Sequence, residues 1–344
     1  MESDFSEILF PYKTPIKIDE STDERNLHMA KVFLEKEGKP YLLISRKCLD
    51  HSEKISLIQS FYLHYQFEHR AIMHINRLSV SPNNSIEALY KYPENGRLSD
   101  FIGFAHENKP KVKANILTPT NKSIIAYGLA HALRYIHQSG YQFCDVNAKN
   151  VYLDSTFHPY LTNFYAIKKI NDNTNESLKI SSIQAKMDVL SYAIIYAALI
   201  EPISFDPPIQ SSKEFVHNLT NRKRPTCVAA TNKQRKILNK MWDYVPRDRI
   251  NFDQIVDYFD SGELLFPETD INEFEEYKIK VNTFDKSKLT PFSTPIKSQY
   301  SSASSSAFSS AFTSPSKSRS PSPKPSPSII KKIASDVLDV IDDE

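Results

Sequence analysis

The chain has 344 residues, of which 40% are hydrophobic, so it can bury a sizeable core and is not disordered throughout. Lys and Arg number 43 against 41 Asp and Glu, and this net charge of +2 favours neither a nucleic-acid partner nor an anionic membrane. Only 6 residues are glycine, where average usage would give about 24, which argues against a phosphate-binding loop built on repeated glycines. The 3 cysteines are far apart, so neither a disulfide framework nor paired zinc ligands are expected.

Two features of the sequence bear on location. The N-terminal segment, MESDFSEILF, is acidic and lacks the basic region and apolar run of a secretory signal. The longest apolar run, at residues 192–200, is too short to cross a bilayer. We therefore expect a cytoplasmic protein without a membrane partner, with a nuclear location left open.

The first part of the chain is predicted to be rich in strands. Residues 1–23 are expected to form a flexible arm. Apolar residues at 32–34 and 41–44 flank a turn that contains Gly and Pro, which predicts a β-hairpin. Residues 55–67 carry apolar side chains at helical spacing, and residues 86–92 are typical of a further strand.

The middle of the chain is predominantly helical. Residues 124–136 carry apolar side chains on one helical face, and residues 187–200 are apolar all round, which predicts a buried helix. Short strands are expected at 151–153 and 160–161. Because strands come first and helices later, the sequence indicates an α+β fold of two lobes.

We place a small β-rich N-lobe at residues 24–92, a larger helical C-lobe at 93–262, and a linker with a tail at 263–344. Serine provides 15 of the 31 residues in 298–328, mixed with Pro, Lys and Ala. That composition cannot bury enough apolar surface to order the chain. Helical spacing returns near the end, where a short helix is predicted at 329–341.

The outer segments contain a repeated short pattern. Thr14, Thr294 and Ser314 each begin the sequence Ser/Thr-Pro-x-Lys. In an accessible chain these sites resemble phosphate acceptors of proline-directed kinases. The alternative is a spacer in which the Ser-Pro steps are incidental.

One segment carries a more specific pattern. After the helix at 124–136, residues 140–154 read GYQFCDVNAKNVYLD, and residues 161–165 read LTNFY. These segments resemble the catalytic loop and the metal-binding turn of the eukaryotic protein kinases, His-Arg-Asp-x-x-x-x-Asn followed by Asp-Phe-Gly. Asp145 and Asn150 keep the spacing of that loop.

Other stretches resemble the same family in the same order. Residues 69–72 are similar to the turn after the small-lobe helix, and residues 92–98 to the segment past the hinge between the lobes. Asp188 stands at the start of the buried large-lobe helix, and Arg249 at the late arginine of that lobe, both in structural roles. The resemblance is strongest to the tyrosine-kinase-like branch of the Ser/Thr kinases and implies a bilobal kinase fold over 24–262.

The resemblance also assigns residues to the reaction. Asp145 stands at the position of the carboxylate that accepts the substrate hydroxyl proton, and Asn150 at that of the carboxamide that helps to hold a second metal ion. Lys91 and Tyr92 fall at the hinge, where backbone groups bind adenine. Two alternatives stay open: Asp145 holds the loop by hydrogen bonds, and Asn150 is a structural loop residue.

Several charged positions of the family pattern are altered. The metal-binding aspartate of the turn is Asn163, and the glycine of the turn is Tyr165. The loop lysine that contacts the transferred phosphate is Asn147. The glycine-rich span aligns with residues 25–30, which contain no glycine, so bulky side chains should keep this backbone away from phosphates.

The strand lysine that contacts the nucleotide is replaced as well. The alignment of residues 41–44 puts Ile44 at its position. Lys47, three residues on, faces the other side of a regular strand and could substitute only across a bulge. The glutamate that pairs with the lysine falls near Ser60, or at Glu53 if the helix is displaced.

These departures predict a pseudokinase, which acts as a signalling scaffold or allosteric binding module through contacts with other proteins such as kinases. No cofactor is expected. Because Asp145 and Asn150 are retained, the alternative is a weak or atypical protein Ser/Thr kinase, which would use ATP and Mg²⁺.

Overall fold

A computed structural model of the chain describes residues 16–22, 27–33, 40–47, 51–83, 85–103, 116–170, 175–207 and 212–286. Several predicted features lie outside the described residues. They are most of the N-terminal arm, the Ser-rich tail, the terminal helix at 329–341, and the candidate acceptor sites Thr14, Thr294 and Ser314.

The small lobe is built on a five-stranded antiparallel sheet. In chain order its strands are β1 (Ile16–Thr22), β2 (Leu27–Phe33), β3 (Pro40–Lys47), β4 (Ile75–Val80) and β5 (Ser85–Lys91). Across the sheet their order is β1-β2-β3-β5-β4. The predicted hairpin is confirmed, because β2 pairs with β3 from Leu27 opposite Arg46 to Phe33 opposite Pro40.

The N-terminal edge of this sheet differs from the prediction. Residues 16–22 were expected within a flexible arm, but they form strand β1, which pairs with β2. The sequence of β1, IKIDEST, is mostly polar, and an edge strand needs backbone pairing on one side only, so its hydrophobic pattern is weak. Residues 27–30 lie within β2, so most of the span that was aligned with the glycine-rich loop belongs to a strand.

Helix α1 (His51–Gln66) packs against β4 and β5. Its buried residues Leu57, Ile58 and Phe61 share a hydrophobic cluster with Ile44 and other residues of the sheet. The helix predicted from residue 55 is confirmed. It starts earlier than the apolar spacing indicates because its first turn, HSEK, is polar.

The large lobe is predominantly helical. Its strands are short and comprise β6 (Gly96–Arg97), β7 (Tyr141–Gln142), β8 (Val151–Leu153), β9 (Pro159–Leu161) and β10 (Lys168–Lys169). Its helices are α2 (Pro119–Gln138), α3 (Asn175–Ile200), α4 (Ser212–Thr220), α5 (Asn232–Met241), α6 (Phe252–Asp260) and α7 (Ile271–Lys286).

Helices α2 and α3 form the centre of this lobe. The two predicted helices, at 124–136 and 187–200, lie within them. Residues of both helices belong to one buried cluster, and Tyr192 Oη donates to the carbonyl oxygen of Ala126 at 3.0 Å. The described part of the chain is therefore a small sheet-rich lobe followed by a larger helical lobe, the bilobal α+β arrangement that the sequence predicts. Within these same residues, no helix combines the length and apolarity needed to cross a bilayer.

The C-terminal end of the folded part also differs from the prediction. The linker was expected to begin at residue 263, but α7 packs against α2. Its side chains Phe274, Tyr277 and Val281 are at most 1% exposed. Gly128 of α2 lies so close to Tyr277 that a Cβ atom there would overlap the phenol oxygen. Residues 263–286 therefore belong to the folded large lobe.

Two C-terminal truncations test this boundary. We expect the chain that ends at residue 286 to melt at the temperature of the full-length protein. The chain that ends at residue 262 should lose most of its stability, because burying a large apolar side chain contributes about 1.5–3 kcal/mol and a whole domain is held by about 5–15 kcal/mol. Thermal melts followed by circular dichroism measure the difference. Equal melting temperatures for the two truncated chains would contradict a packing role for α7.

Candidate functional site

The loop between β7 and β8 is held by a carboxylate from α3. Asp188 is 2% exposed, and it accepts hydrogen bonds from the backbone N–H of Phe143 at 2.8 Å and of Cys144 at 2.9 Å. Its Oδ2 also accepts from His137 Nε2 at 2.8 Å. Cys144 has a φ of 67°, which is unfavourable for a residue other than glycine. The carboxylate therefore fixes a turn that the chain does not favour by itself.

The side chain of Asp145, in the same turn, contacts a group of amides. Asp145 is 2% exposed. Its Oδ1 accepts from Asn147 Nδ2 at 2.8 Å, and its Oδ2 accepts from Asn163 Nδ2 at 3.4 Å. Asn150 Nδ2 donates to the carbonyl oxygen of Asp145 at 2.9 Å. The structure thus brings together four residues that the sequence assigned to one site.

Backbone partners fix how these amides are oriented. Asn147 Oδ1 accepts from the backbone N–H of Asn150 at 3.1 Å, so its Nδ2 faces Asp145. Asn150 uses its Nδ2 on a carbonyl group, which leaves its Oδ1 to accept from Asn163 Nδ2 at 2.9 Å. The side-chain nitrogen of Asn163 therefore lies between Asn150 Oδ1 and Asp145 Oδ2.

This arrangement does not fit Mg²⁺. The ion is held by oxygen ligands, above all by carboxylates, whereas Asn163 directs a hydrogen-bond donor at the two oxygens that would face the ion. Asp145 is the one carboxylate of the four-residue group. Among the residues that the structure describes, no cluster of three or more His, Cys, Asp or Glu side chains could hold a metal ion.

An aromatic stack joins this site to the small lobe. The ring of Phe164 stacks on His64 of α1, with centroids 4.0 Å apart, and meets the edge of Phe143 at 5.1 Å. His64 Nε2 donates to the carbonyl oxygen of Met73 at 2.8 Å. Burial lowers the pKa of His64 to about 3, so the ring is neutral at physiological pH. The stack thus links α1, the turn after β9 and the loop before β8 through apolar contacts.

The predicted position of the strand lysine faces α1, as its role would require. Ile44 is buried and lines a small cavity together with Ser60 of α1, Asn163 and Tyr165. An isoleucine and a serine therefore meet where the family pattern has a lysine and a glutamate. Neither side chain can carry a charge to a phosphate.

Lys47 does not replace that lysine. The pairing of β3 with β5 runs without a bulge from Tyr41 opposite Lys91 to Lys47 opposite Ser85. Lys47 is therefore on the opposite face from Ile44, and it is exposed at the end of the strand. The bulge that a nucleotide-binding role of Lys47 would require is absent from the described strand β3.

A different cation connects β3 with α1. Arg46 Nη2 lies 3.0 Å from Glu53 Oε1, and its guanidinium carbon lies 5.6 Å from the centroid of the Tyr165 ring. Arg46 follows Ile44 by two residues, so both side chains leave β3 on the same face. That spacing is the sequence signal that places Arg46 on the face of β3 that carries Ile44. The predictions from sequence did not include Arg46. The pair is partly exposed, with 26% and 27% of the side chains accessible, so its contribution to stability is at most about 1 kcal/mol.

The predicted hinge residues lie at the edge of the cleft between the lobes. Lys91 is the last residue of β5 and is exposed. Tyr92 is half-buried, and the Nζ atom of Lys31 lies 4.5 Å from the centroid of its ring.

Arg249 belongs to the packing of the large lobe. Its Nε donates to the carbonyl oxygen of Asp243 at 2.9 Å, and its Nη1 donates to that of Lys186 at 2.9 Å. Burial, with a smaller contribution from the nearby charge of Arg224, lowers the pKa of Arg249 to about 9. The guanidinium ties the start of the buried part of α3 to the segment after α5.

Replacing Asp188 tests whether its carboxylate holds the loop. In Asp188→Asn one N–H donor of the loop would face an amide N–H group, and we expect a loss of about 1–3 kcal/mol in the free energy of unfolding. Urea denaturation measures the loss. The control is Asp253→Asn, where the carboxylate bonds the exposed side chain of Gln138 at 2.7 Å and a change within about 0.5 kcal/mol is expected. Equal stability of the two variants would contradict the role of Asp188.

Comparison with known proteins agrees with this geometry. The family model for protein tyrosine and serine/threonine kinase matches residues 41–259. The chain is 26% identical to the LRR receptor-like serine/threonine-protein kinase ER1 of Oryza sativa subsp. japonica, over 54% of this chain and 21% of that protein. It is 27% identical to the LRR receptor-like serine/threonine-protein kinase ERL1 of Arabidopsis thaliana, over 38% of this chain and 15% of that protein.

A further relative is named a probable inactive leucine-rich repeat receptor kinase, XIAO, of Oryza sativa subsp. japonica. It is 29% identical over 28% of this chain and 8% of that protein. The matched segments cover 21% or less of the length of these relatives. The family model, in contrast, spans both lobes and includes the loop of Asp145 and the turn of Asn163. The chain therefore belongs to the protein tyrosine and serine/threonine kinase family.

Proposed function

We propose that this protein is a catalytically impaired member of its family, which acts by binding other signalling proteins. The observation that carries the proposal is the amide of Asn163, which donates to Asn150 Oδ1 at 2.9 Å and to Asp145 Oδ2 at 3.4 Å. A hydrogen-bond donor thus lies where the family's reaction needs the positive charge of a metal ion.

The loss concerns the main source of catalysis in this reaction. Phosphoryl transfer depends on positioning and on neutralising the charge of the phosphates. Removing one preorganised electrostatic contact typically lowers the rate about 10²–10³-fold. Here the positions of the metal-binding aspartate, the strand lysine and the loop lysine hold Asn163, Ile44 and Asn147. Although such losses seldom add fully, each one removes a charge that the transition state requires.

A binding function requires a rigid surface, and the contacts around the site support one. Asp188 fixes the loop before Asp145, and the stack of Phe164 on His64 joins the loop to α1. These contacts are made within the protein. We propose that the assembled kinase shape serves as a scaffold or an allosteric binding surface for signalling proteins, kinases among them.

The second candidate is a weak or atypical Ser/Thr kinase that uses ATP and Mg²⁺. Two observations favour it: Asp145 and Asn150 keep the positions of the proton acceptor and the second metal ligand, and several relatives are named serine/threonine-protein kinases. In this case Asn163 would have to rotate and give up both of its hydrogen bonds before a cation could bind.

Restoring the missing carboxylate tests the metal site. We expect the wild-type protein to melt at the same temperature with and without Mg²⁺-ATP. Binding would be easy to detect, because a ligand at 100 times its dissociation constant adds about 2.7 kcal/mol to the free energy of unfolding. Such a gain shifts the melting temperature by several degrees or more. In Asn163→Asp two carboxylates face each other. We therefore expect a lower melting temperature in chelator and recovery with Mg²⁺, both measured by differential scanning fluorimetry.

The matched control is Asn251→Asp, which adds the same charge at the N-cap residue that precedes α6, a position that aspartate favours as asparagine does. Its melting temperature should not depend on Mg²⁺. If Mg²⁺-ATP raises the melting temperature of the wild-type protein by several degrees and Mg²⁺ is required, the result would favour the second candidate, a weak or atypical Ser/Thr kinase.

Phosphoryl transfer is tested directly with radiolabelled ATP. We expect purified full-length protein to incorporate no label into itself or into a generic substrate protein, because the charges that stabilise the transferring phosphate are missing. Asp145→Ala is the control for a contaminating kinase. Incorporation by the wild-type protein that disappears in Asp145→Ala would overturn the proposed function.

A further inference from the structure

We infer that the side chain of Tyr152 fills the part of the interlobe cleft where the base of a nucleotide would lie, and that it holds the lobes together in the place of a ligand. The inference rests on the proposed function and deepens it. The altered charges affect binding of the metal ion and the phosphates, whereas Tyr152 affects binding of the base.

The position of Tyr152 follows from the alternation of side chains along β8. Val151 and Leu153 belong to the core of the large lobe, and both are fully buried there. Tyr152, between them, points the other way and is 4% exposed. It belongs to the hydrophobic cluster of the small lobe, which includes Met29, Leu42 and further residues of the sheet and of α1. A side chain from the large lobe thus ends inside the small lobe.

The strands around Tyr152 identify the space that it crosses. β8 follows Asn150 directly and pairs with β6, where Arg97 lies opposite Tyr152. β6 in turn follows the hinge residues Lys91 and Tyr92. Met29 and Leu42 lie on β2 and β3, the strands that cover the cleft on the small-lobe side. Tyr152 therefore lies between the hinge and the loop of Asp145, beneath these two strands.

Polar contacts anchor the far end of the ring. The hydroxyl group of Tyr152 donates to Met29 Sδ at 3.3 Å and accepts from Arg97 Nε at 3.0 Å. Arg97 Nη2 also contacts Met29 Sδ. The guanidinium carbon of Arg97 lies 5.7 Å from the centroid of the Tyr152 ring. One cluster of three side chains thus joins β2, β6 and β8 across the cleft.

This cluster sets the condition for nucleotide binding. A base can enter only when the buried ring has left and both contacts of its hydroxyl group are broken. The apparent affinity of a ligand falls by the fraction of molecules in the open state, so an open population of about 1% weakens binding about 100-fold. The opposite possibility is that the ring is a platform on which the base stacks. The two cases predict opposite effects of removing the Tyr152 ring. If the ring blocks the site, so that it acts as a plug, its removal strengthens binding of the base. If the base stacks on the ring, its removal weakens binding of the base.

The test measures the binding of adenosine to the full chain by isothermal titration calorimetry in chelator, which separates the base from the metal and the phosphates. The variants are Tyr152→Leu, which empties the ring volume, and Tyr152→Phe, which keeps the ring and removes only its hydroxyl group. We expect the wild-type protein and Tyr152→Phe to show no binding at millimolar adenosine. Tyr152→Leu should bind adenosine with a dissociation constant at least 10-fold below the highest adenosine concentration at which the wild-type protein shows no binding.

Two results would overturn the inference: micromolar binding of adenosine to the wild-type protein, or equal or weaker binding by a folded Tyr152→Leu. If Tyr152→Leu does not fold, as judged by circular dichroism, Tyr152→Met takes its place, because its flexible side chain can leave the cleft. The titration of the wild-type protein needs no variant. Adenosine binding without label incorporation would reject the plug and keep the proposed function, whereas incorporation that depends on Asp145 would reject the proposed function.

Discussion

The rest of the site depends on one contact, in which a buried carboxylate accepts hydrogen bonds from two consecutive backbone N–H groups. Asp188 bonds Phe143 and Cys144 at 2.8 and 2.9 Å, and it thereby supports a left-handed residue that is not glycine. Because of this turn, the ring of Phe143 enters the core and meets Phe164, while Asp145 faces the amides. The carboxylate itself comes from α3, which lies in the centre of the large lobe. The geometry of the site is therefore set by the core of that lobe.

The amide side chain of Asn163 differs from the family's aspartate in charge and in hydrogen-bonding groups. Asparagine has the size of aspartate, but it offers two N–H donors where aspartate offers only acceptors. Asn163 therefore satisfies Asn150 Oδ1 and Asp145 Oδ2 from within the protein. A buried polar group whose partners are complete stabilises a single arrangement. The same hydrogen bonds direct N–H donors at the oxygens that a cation would have to contact.

The sequence predicted those parts of the fold that depend on apolar spacing or on short spacings of functional residues. The hairpin of β2 and β3 and the helices α1, α2 and α3 have such spacing, and four residues assigned to the site do meet. It did not predict β1, whose polar sequence is held by backbone pairing, or the place of α7, whose buried face shows only against α2. Tyr152 was missed because its contacts lie on strands of the small lobe, and Arg46 because its partners, Glu53 of α1 and Tyr165, are not its neighbours in the sequence. Such pairings are long-range facts that local patterns do not contain.

Under the proposed function, the changes that hinder catalysis affect different steps, and this decides how their effects combine. Tyr152 occupies the space of the base. Asn163 lacks the negative charge that would bind the metal ion, and Ile44 lacks the positive charge that would contact the phosphates. Effects of residues that act on one step do not add. If nucleotide binding is prevented, changes that affect the later transfer step have no measurable effect on the rate. If a base cannot enter the cleft, a change from Asn163 to a carboxylate alters the affinity for Mg²⁺ alone and leaves phosphoryl transfer unchanged. The gain from a restored charge would then appear only in a chain whose cleft is already open, so the two changes are coupled through the ligand that both must contact.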